Sequence, residues 1–120
     1  MRRIIVLIAF VLLQGAAPQV IAHAFLDRAT PAVGSAVHAS PPQVVLHFTE
    51  DLEAAFSTLR VDDAKGKRVD RSDVHVDPAG ASVLEVSLPA LAPGRYHVTW
   101  RVVSVDTHVT NGSFAFDVLP

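Results

Sequence analysis

Residues 94–103 read Gly-Arg-Tyr-His-Val-Thr-Trp-Arg-Val-Val, and the alternation within this stretch decides the fold class. The apolar residues Tyr96, Val98, Trp100 and Val102 alternate with polar or charged ones. Because successive side chains of a strand point to opposite faces, this period of two predicts a strand with one packed and one solvated face. We expect Trp100 to fill the core rather than contact a cofactor, because buried aromatic side chains mainly contribute packing area.

Four further runs show the same alternation, and turn-forming residues separate them. Their apolar members are Val44, Leu46 and Phe48; Leu59 and Val61; Leu84, Val86 and Leu88; and Phe114, Phe116 and Val118. We predict turns at Pro31–Gly34, Lys65–Lys67, Pro78–Gly80, Pro93–Gly94 and Asn111–Gly112. Short strands about every ten residues predict a single all-β domain, either an antiparallel sandwich or a Greek-key barrel. A helical turn is expected only within residues 52–57.

Residues 1–22 have the organisation of a secretory signal peptide. Arg2 and Arg3 precede an apolar run over Ile4–Leu13, and the small residue Ala22 closes the segment. The run is shorter than the roughly 20 residues that a membrane-spanning helix needs. We therefore predict export and cleavage after Ala22.

Cleavage after Ala22 leaves a mature domain of residues 23–120, beginning at His23; cuts after Ala17 or Ala24 are the alternatives. This domain holds 8 Lys and Arg against 12 Asp and Glu, and it has no cysteine. The acidic balance argues against a nucleic-acid surface, and the missing thiols exclude disulfides and thiolate ligands. No second long apolar run follows, so we expect no membrane insertion of the mature chain.

Four of the six histidines need no functional explanation. His38 lies in a loop, His75 lies in a polar segment, and His47 and His97 fall on the polar side of their predicted strands. We expect each of them to be a solvated surface residue.

His23 at the predicted mature N-terminus is different, because its α-amine and its imidazole can chelate one metal ion together. Cu(II) prefers nitrogen and oxygen ligands in a tetragonal plane and binds them more tightly than other divalent first-row ions do. The amine has a reference pKa of about 8, so its deprotonated form is accessible near neutrality.

Asp106-Thr107-His108 supplies a second pair of donors after the strand that contains Trp100. On extended backbone, residues i and i+2 point to the same side, so the carboxylate and the imidazole would converge. The alternative is a loop aspartate that caps a turn beside a solvated histidine. Together with His23, the pair gives an amine, two imidazoles and a carboxylate, a set that suits Cu(II).

These features occur in an order that resembles the CopC family, the copper resistance protein C of bacterial periplasms. The matching segments are His23; residues 30–35 (Thr-Pro-Ala-Val-Gly-Ser); residues 46–50 (Leu-His-Phe-Thr-Glu); residues 91–108 (from Leu-Ala-Pro-Gly to Asp-Thr-His); and residues 112–118. The resemblance covers essentially all of residues 23–120.

The resemblance implies an immunoglobulin-like or cupredoxin-like Greek-key β-sandwich that binds one Cu(II) per chain. Carried over to this sequence, the ligands are His23, Asp106 and His108. Glu50 is expected close by, as a weak ligand or as an acceptor for a ligand N–H, or as an ordinary exposed residue. The implied role is copper resistance or homeostasis in the periplasm, by sequestering copper or by delivering it to a membrane importer of the CopD type.

Two departures from the family pattern carry expectations. The only methionine is Met1, which leaves with the signal, so we predict no thioether Cu(I) site of the kind some members have. Val109 stands where the family usually has a proline, a change we expect to be tolerated. Pro120 follows the last strand closely, so we expect a stand-alone domain rather than a fusion to a membrane domain.

Two other function classes remain open at this stage. A copper oxidase or oxygenase can also use an N-terminal histidine, although 98 residues leave little room for a substrate platform and no nucleophile–base pair is recognisable, so we expect no enzyme. A metal-free immunoglobulin-like interaction module is the other, because a fold does not fix a function.

Overall fold

The computed structural model describes residues 24–120, so the predicted signal peptide and His23 lie outside the described residues. Eight strands follow one another along the chain. They are β1 (Leu26–Thr30), β2 (Ala36–Val37), β3 (Gln43–Phe48), β4 (Thr58–Asp63), β5 (His75–Asp77), β6 (Gly80–Ser87), β7 (Gly94–Val103) and β8 (Val109–Val118). One 3-10 turn, Ala54–Phe56, lies within the stretch predicted to be helical.

The strands form two four-stranded sheets, with the orders β1-β3-β6-β5 and β2-β8-β7-β4. The chain passes from one sheet to the other at every connection except the β5–β6 and β7–β8 hairpins. The strand pairs are antiparallel apart from β2 and β8, which run parallel. This is an all-β, Greek-key-like sandwich, as the sequence predicted.

The core lies between the sheets and contains the apolar residues of the five predicted runs, except Trp100, which packs against it and is only half-buried. In β7 and β8, Tyr96 pairs with Phe116 and Val98 pairs with Phe114, so aromatic and β-branched side chains meet on the inner face. Their facing partners in the other sheet include Val44, Leu46, Leu84 and Val86, all of which are fully buried. Removing this apolar area from water is the main force that holds two such sheets together.

The predicted turn at Asn111–Gly112 is wrong, because both residues are paired inside β8. Gly112 pairs with Trp100, and Asn111 pairs with Arg101. A Cβ on Gly112 would lie 2.5 Å from Cζ2 of Trp100, so the glycine is needed for the close approach of the indole ring, not for a turn. Trp100 is half-buried and packs against the core, with its ring centroid 6.3 Å from that of Phe48.

Three segments meet at one end of the sandwich, which we call the hairpin end: residues 24–27, 49–57 and 104–110. Leu26 pairs with Phe48, which brings the start of β1 beside the end of β3. Leu52 forms an isolated β-bridge with Ser104 in the β7–β8 connection.

No helix within residues 24–120 has the length and apolar character that crossing a membrane requires.

Candidate metal centre

The loop Ser104–His108 joins β7 to β8 and carries two of the predicted ligands. The Ser104 amide donates to the His108 carbonyl at 2.9 Å, and the Thr107 amide donates to the Ser104 carbonyl at 2.8 Å. Thr107 has a φ of 70°, in the left-handed region that non-glycine residues rarely adopt. The loop is therefore a tight turn closed by its own backbone hydrogen bonds.

This turn brings the carboxylate of Asp106 and the imidazole of His108 together. Oδ2 of Asp106 lies 3.4 Å from Nδ1 of His108, and their side chains remain 45% and 39% exposed. Their convergence was predicted, but the predicted reason was wrong: the turn at Thr107 brings them together, not an extended backbone. The turn thus brings a carboxylate oxygen and an imidazole nitrogen, two donor types that divalent metals accept, within one contact distance of each other.

Ser104 holds Asp106 and His108 in place through hydrogen bonds of its hydroxyl group. It is fully buried, one of two polar residues within residues 24–120 that are buried as a whole. Its hydroxyl donates to Oδ1 of Asp106 and accepts the His108 amide at 3.2 Å. The hydrogen bond from Ser104 lowers the pKa of Asp106, and the neighbouring His108 imidazole lowers it further. Asp106 is therefore held in the ionised form that a metal ligand requires.

The start of the described chain is fastened to the same region. Ala24 is only 1% exposed, and its carbonyl accepts a hydrogen bond of 2.6 Å from Oγ1 of Thr110, two residues after His108. The Phe25 amide donates to Oγ1 of Thr49 at 3.0 Å, and the Phe25 carbonyl accepts the Thr49 amide at 2.9 Å. The residue that precedes Ala24 in the sequence is His23.

Glu50 follows Thr49 directly and is half-buried at the hairpin end. Its neighbour Asp51 accepts the Val105 amide at 3.0 Å, so this segment contacts the loop through the backbone. The segment that carries Glu50 therefore adjoins the loop that carries Asp106 and His108.

The hairpin end carries a net negative charge. Its three segments contain five carboxylates and no Lys or Arg: Asp27, Glu50, Asp51, Glu53 and Asp106. A negative potential raises the local concentration of cations and speeds their encounter with the site. Residues 24–120 contain no group of three or more His, Asp or Glu side chains placed to hold a metal ion, so Asp106 and His108 need a further donor to complete a site.

The remaining histidines agree with the surface interpretation. His38, His75 and His97 are exposed, and His47 is half-buried. The hydrogen bond of Nδ1 to the Asp73 carbonyl raises the pKa of His75, and Glu85, 3.0 Å from Nε2, adds to the effect.

A groove of about 690 Å³ lies away from these residues. It is lined mainly by Trp100, three arginines and polar residues of β4, β7 and β8, and neither Asp106 nor His108 contributes to it. The groove and this pair of predicted ligands thus lie apart.

Comparison with known proteins shows which family the chain resembles. The model of the CopC domain family matches residues 26–119. Copper resistance protein C of Pseudomonas syringae pv. tomato is 38% identical over 103 residues, which cover 81% of each chain. The crystal structure of CopC from Methylosinus trichosporium OB3b has a TM-score of 0.73 and 35% identity, covering 82% of this chain and 95% of that one. PcoC of Escherichia coli, described as a methionine-rich copper resistance protein, has a TM-score of 0.69 and 33% identity over 81% and 99% of the two chains.

Fold and similarity together define a small β-sandwich of the copper resistance class. The chain belongs to the CopC family.

Sequence reasoning missed Ser104 and Thr110, the two hydroxyls that fix the candidate centre. They occupy positions −2 and +2 relative to the Asp-x-His motif. Serine and threonine carry no periodic signal, and only the three-dimensional contacts show which of them donate to the site.

Proposed function

We propose that the processed protein binds one Cu(II) ion per chain through the α-amine and imidazole of His23, the carboxylate of Asp106 and the imidazole of His108. Glu50 would stand beside these ligands as a hydrogen-bond acceptor or weak ligand. The metal is cargo, and the protein is a carrier in the periplasm, not an enzyme. It would sequester copper or pass it to a membrane importer of the CopD type.

The fastening of Ala24 to Thr110 is the observation that carries the proposal. Consecutive Cα atoms are 3.8 Å apart. The residue bonded to Ala24 is therefore one peptide link away from a residue that is hydrogen-bonded to Thr110, two positions after His108. The burial of Ala24 also argues against cleavage after it, because such a cut would remove a residue that belongs to the core. The described pair lacks a third donor, and an N-terminal histidine supplies two.

The donor set favours the cupric ion. Two imidazoles, an amine and a carboxylate suit Cu(II), whereas Cu(I) prefers the soft sulfur of cysteine and methionine. Residues 24–120 contain neither of these residues. We therefore propose that this chain, unlike a methionine-rich relative, has no thioether Cu(I) site.

A Cu(II) titration of the chain that starts at His23 tests the proposal, with the same chain acetylated at its α-amine as the decisive comparison. Acetylation keeps every side chain and removes only the amine donor. We expect one equivalent bound by the processed chain, much weaker binding by the acetylated chain, and weak binding by His108→Ala. The variant His38→Ala, which removes an exposed histidine far from the loop, serves as the control and should bind as the unmodified chain does.

Equal affinity of the acetylated and processed chains would overturn the N-terminal chelate. Oxidation of a polysaccharide by the copper-loaded protein with added reductant would instead support the oxygenase alternative.

A further inference from the structure

We propose that Thr110 is a positioning residue for the copper site, which holds the start of the chain where the N-terminal chelate can form. This inference rests on the proposed function. Thr110 is not among the proposed ligands, and its role is exerted through the carbonyl of Ala24.

The contact is specific and short. Oγ1 of Thr110 donates to the Ala24 carbonyl at 2.6 Å, across a separation of 86 residues in the sequence. It involves the side chain of Thr110, not a backbone ladder, and it fixes the first residue that the structure describes. Chain termini are usually poorly ordered unless they are tied down. This bond and the pair of bonds between Phe25 and Thr49 tie residues 24 and 25 to the hairpin end.

Thr110 also connects the two halves of the proposed site. Burial alternates from His108 to Asn111: His108 and Thr110 are half-buried, while Val109 and Asn111 are exposed. Val109 begins β8, and His108 directly precedes it. The hydroxyl that fastens Ala24 thus lies two residues along the chain from the imidazole with which the N-terminal residue would share a metal ion.

Preorganisation explains why this contact should matter for affinity. A chelate made by a chain end costs binding free energy if that end must be ordered when the metal arrives. Because Ala24 is already fixed in the folded chain, part of this ordering cost falls on folding and not on metal binding. Loss of the hydroxyl should therefore weaken Cu(II) binding about threefold to tenfold, the factor expected for one neutral hydrogen bond.

The test compares three variants in the chain that starts at His23. Thr110→Val keeps the volume and removes the donor, Thr110→Ser keeps the donor, and Thr99→Val makes the same change at an exposed position of β7. Cu(II) affinity is measured by competition with a chelator of known affinity, and thermal unfolding without metal reports stability. We expect weaker binding for Thr110→Val alone, with recovery in Thr110→Ser.

A double-mutant cycle separates positioning from a merely structural role. Thr110→Val is combined with acetylation of the His23 α-amine, which removes one donor of the proposed chelate. If Thr110 acts through the N-terminal chelate, the valine change weakens binding in the processed chain and has little further effect in the acetylated chain. Equal losses in both backgrounds, or no loss in the processed chain, would overturn the inference.

The same cycle keeps this inference apart from the proposed function. If acetylation of the α-amine itself leaves affinity unchanged, the N-terminal chelate fails whatever Thr110 does. If acetylation weakens binding and Thr110→Val does not, only the positioning role fails.

Discussion

Replacing Ser104 by alanine should separate the stability of the fold from the geometry of the copper site. The side chain is fully buried, and its hydroxyl accepts the His108 amide at 3.2 Å while donating to Asp106. Alanine leaves the amide without this acceptor, which costs about 1 kcal/mol for a neutral hydrogen bond. For a domain of this size, that corresponds to a fall in Tm of about 4–8 °C.

Ser57→Ala is the matched control. Ser57 is the other buried serine of residues 24–120, and its hydroxyl makes an equivalent pair of bonds, donating to the Glu53 carbonyl at 2.9 Å and accepting the Val103 amide at 3.2 Å. It has no bond to Asp106 or His108. Both variants should therefore lose similar stability in thermal unfolding without metal.

Copper binding should distinguish the two variants. Ser104→Ala frees Asp106 from its donor and loosens the backbone at His108, so Cu(II) affinity should fall several-fold, while Ser57→Ala should bind as the unmodified chain does. Competition titration at neutral pH provides the measurement. If both alanine variants keep full affinity, or both lose it equally, Ser104 does not organise the site.

Three further changes test the fold and its charges. Gly112→Ala should lower the free energy of unfolding in urea by about 1–3 kcal/mol and shift the Trp100 fluorescence, because the new Cβ would lie 2.5 Å from the indole ring. An unchanged free energy of unfolding would contradict this packing. Glu85→Gln should lower the pKa of His75 in an NMR titration, although part of the upward shift should persist because the Asp73 carbonyl is its largest cause. Burial raises the pKa of Asp70, but hydrogen bonds from a neighbouring arginine and two backbone amides outweigh it and lower the pKa overall. Asp70 therefore contributes stability above pH 3.8 that is lost as pH falls through the folded-state pKa, and Asp70→Asn should flatten that acid dependence of the unfolding free energy.

The long strands could be predicted from the sequence because each buries one face. The alternation around Val44, Leu84 and Val98 is a direct consequence of two sheets packed on a common core. The short strands β2 and β5 could not be found, since two or three residues are too few to show a period. The Asn111–Gly112 pair was misassigned because a turn signal and a glycine that makes room for an indole ring look the same in a sequence.

The proximity of Asp106 and His108 could be predicted from the sequence, but the way the structure achieves it could not. The spacing of Asp106 and His108 suggested convergence, and the structure brings them together. Their convergence depends on a left-handed Thr107 and on a buried Ser104, and neither feature has a sequence signature. The link from Ala24 to Thr110 spans nearly the whole domain, so no local pattern could indicate it.

The most direct test of the central claim is electron paramagnetic resonance of the processed chain with one equivalent of Cu(II), using nitrogen hyperfine couplings to count the ligands. The amine and the two imidazoles predict three nitrogen ligands, and His108→Ala should lose one of them while His38→Ala loses none. A spectrum of hydrated cupric ion, or a nitrogen count that His108→Ala leaves unchanged, would contradict the proposed centre.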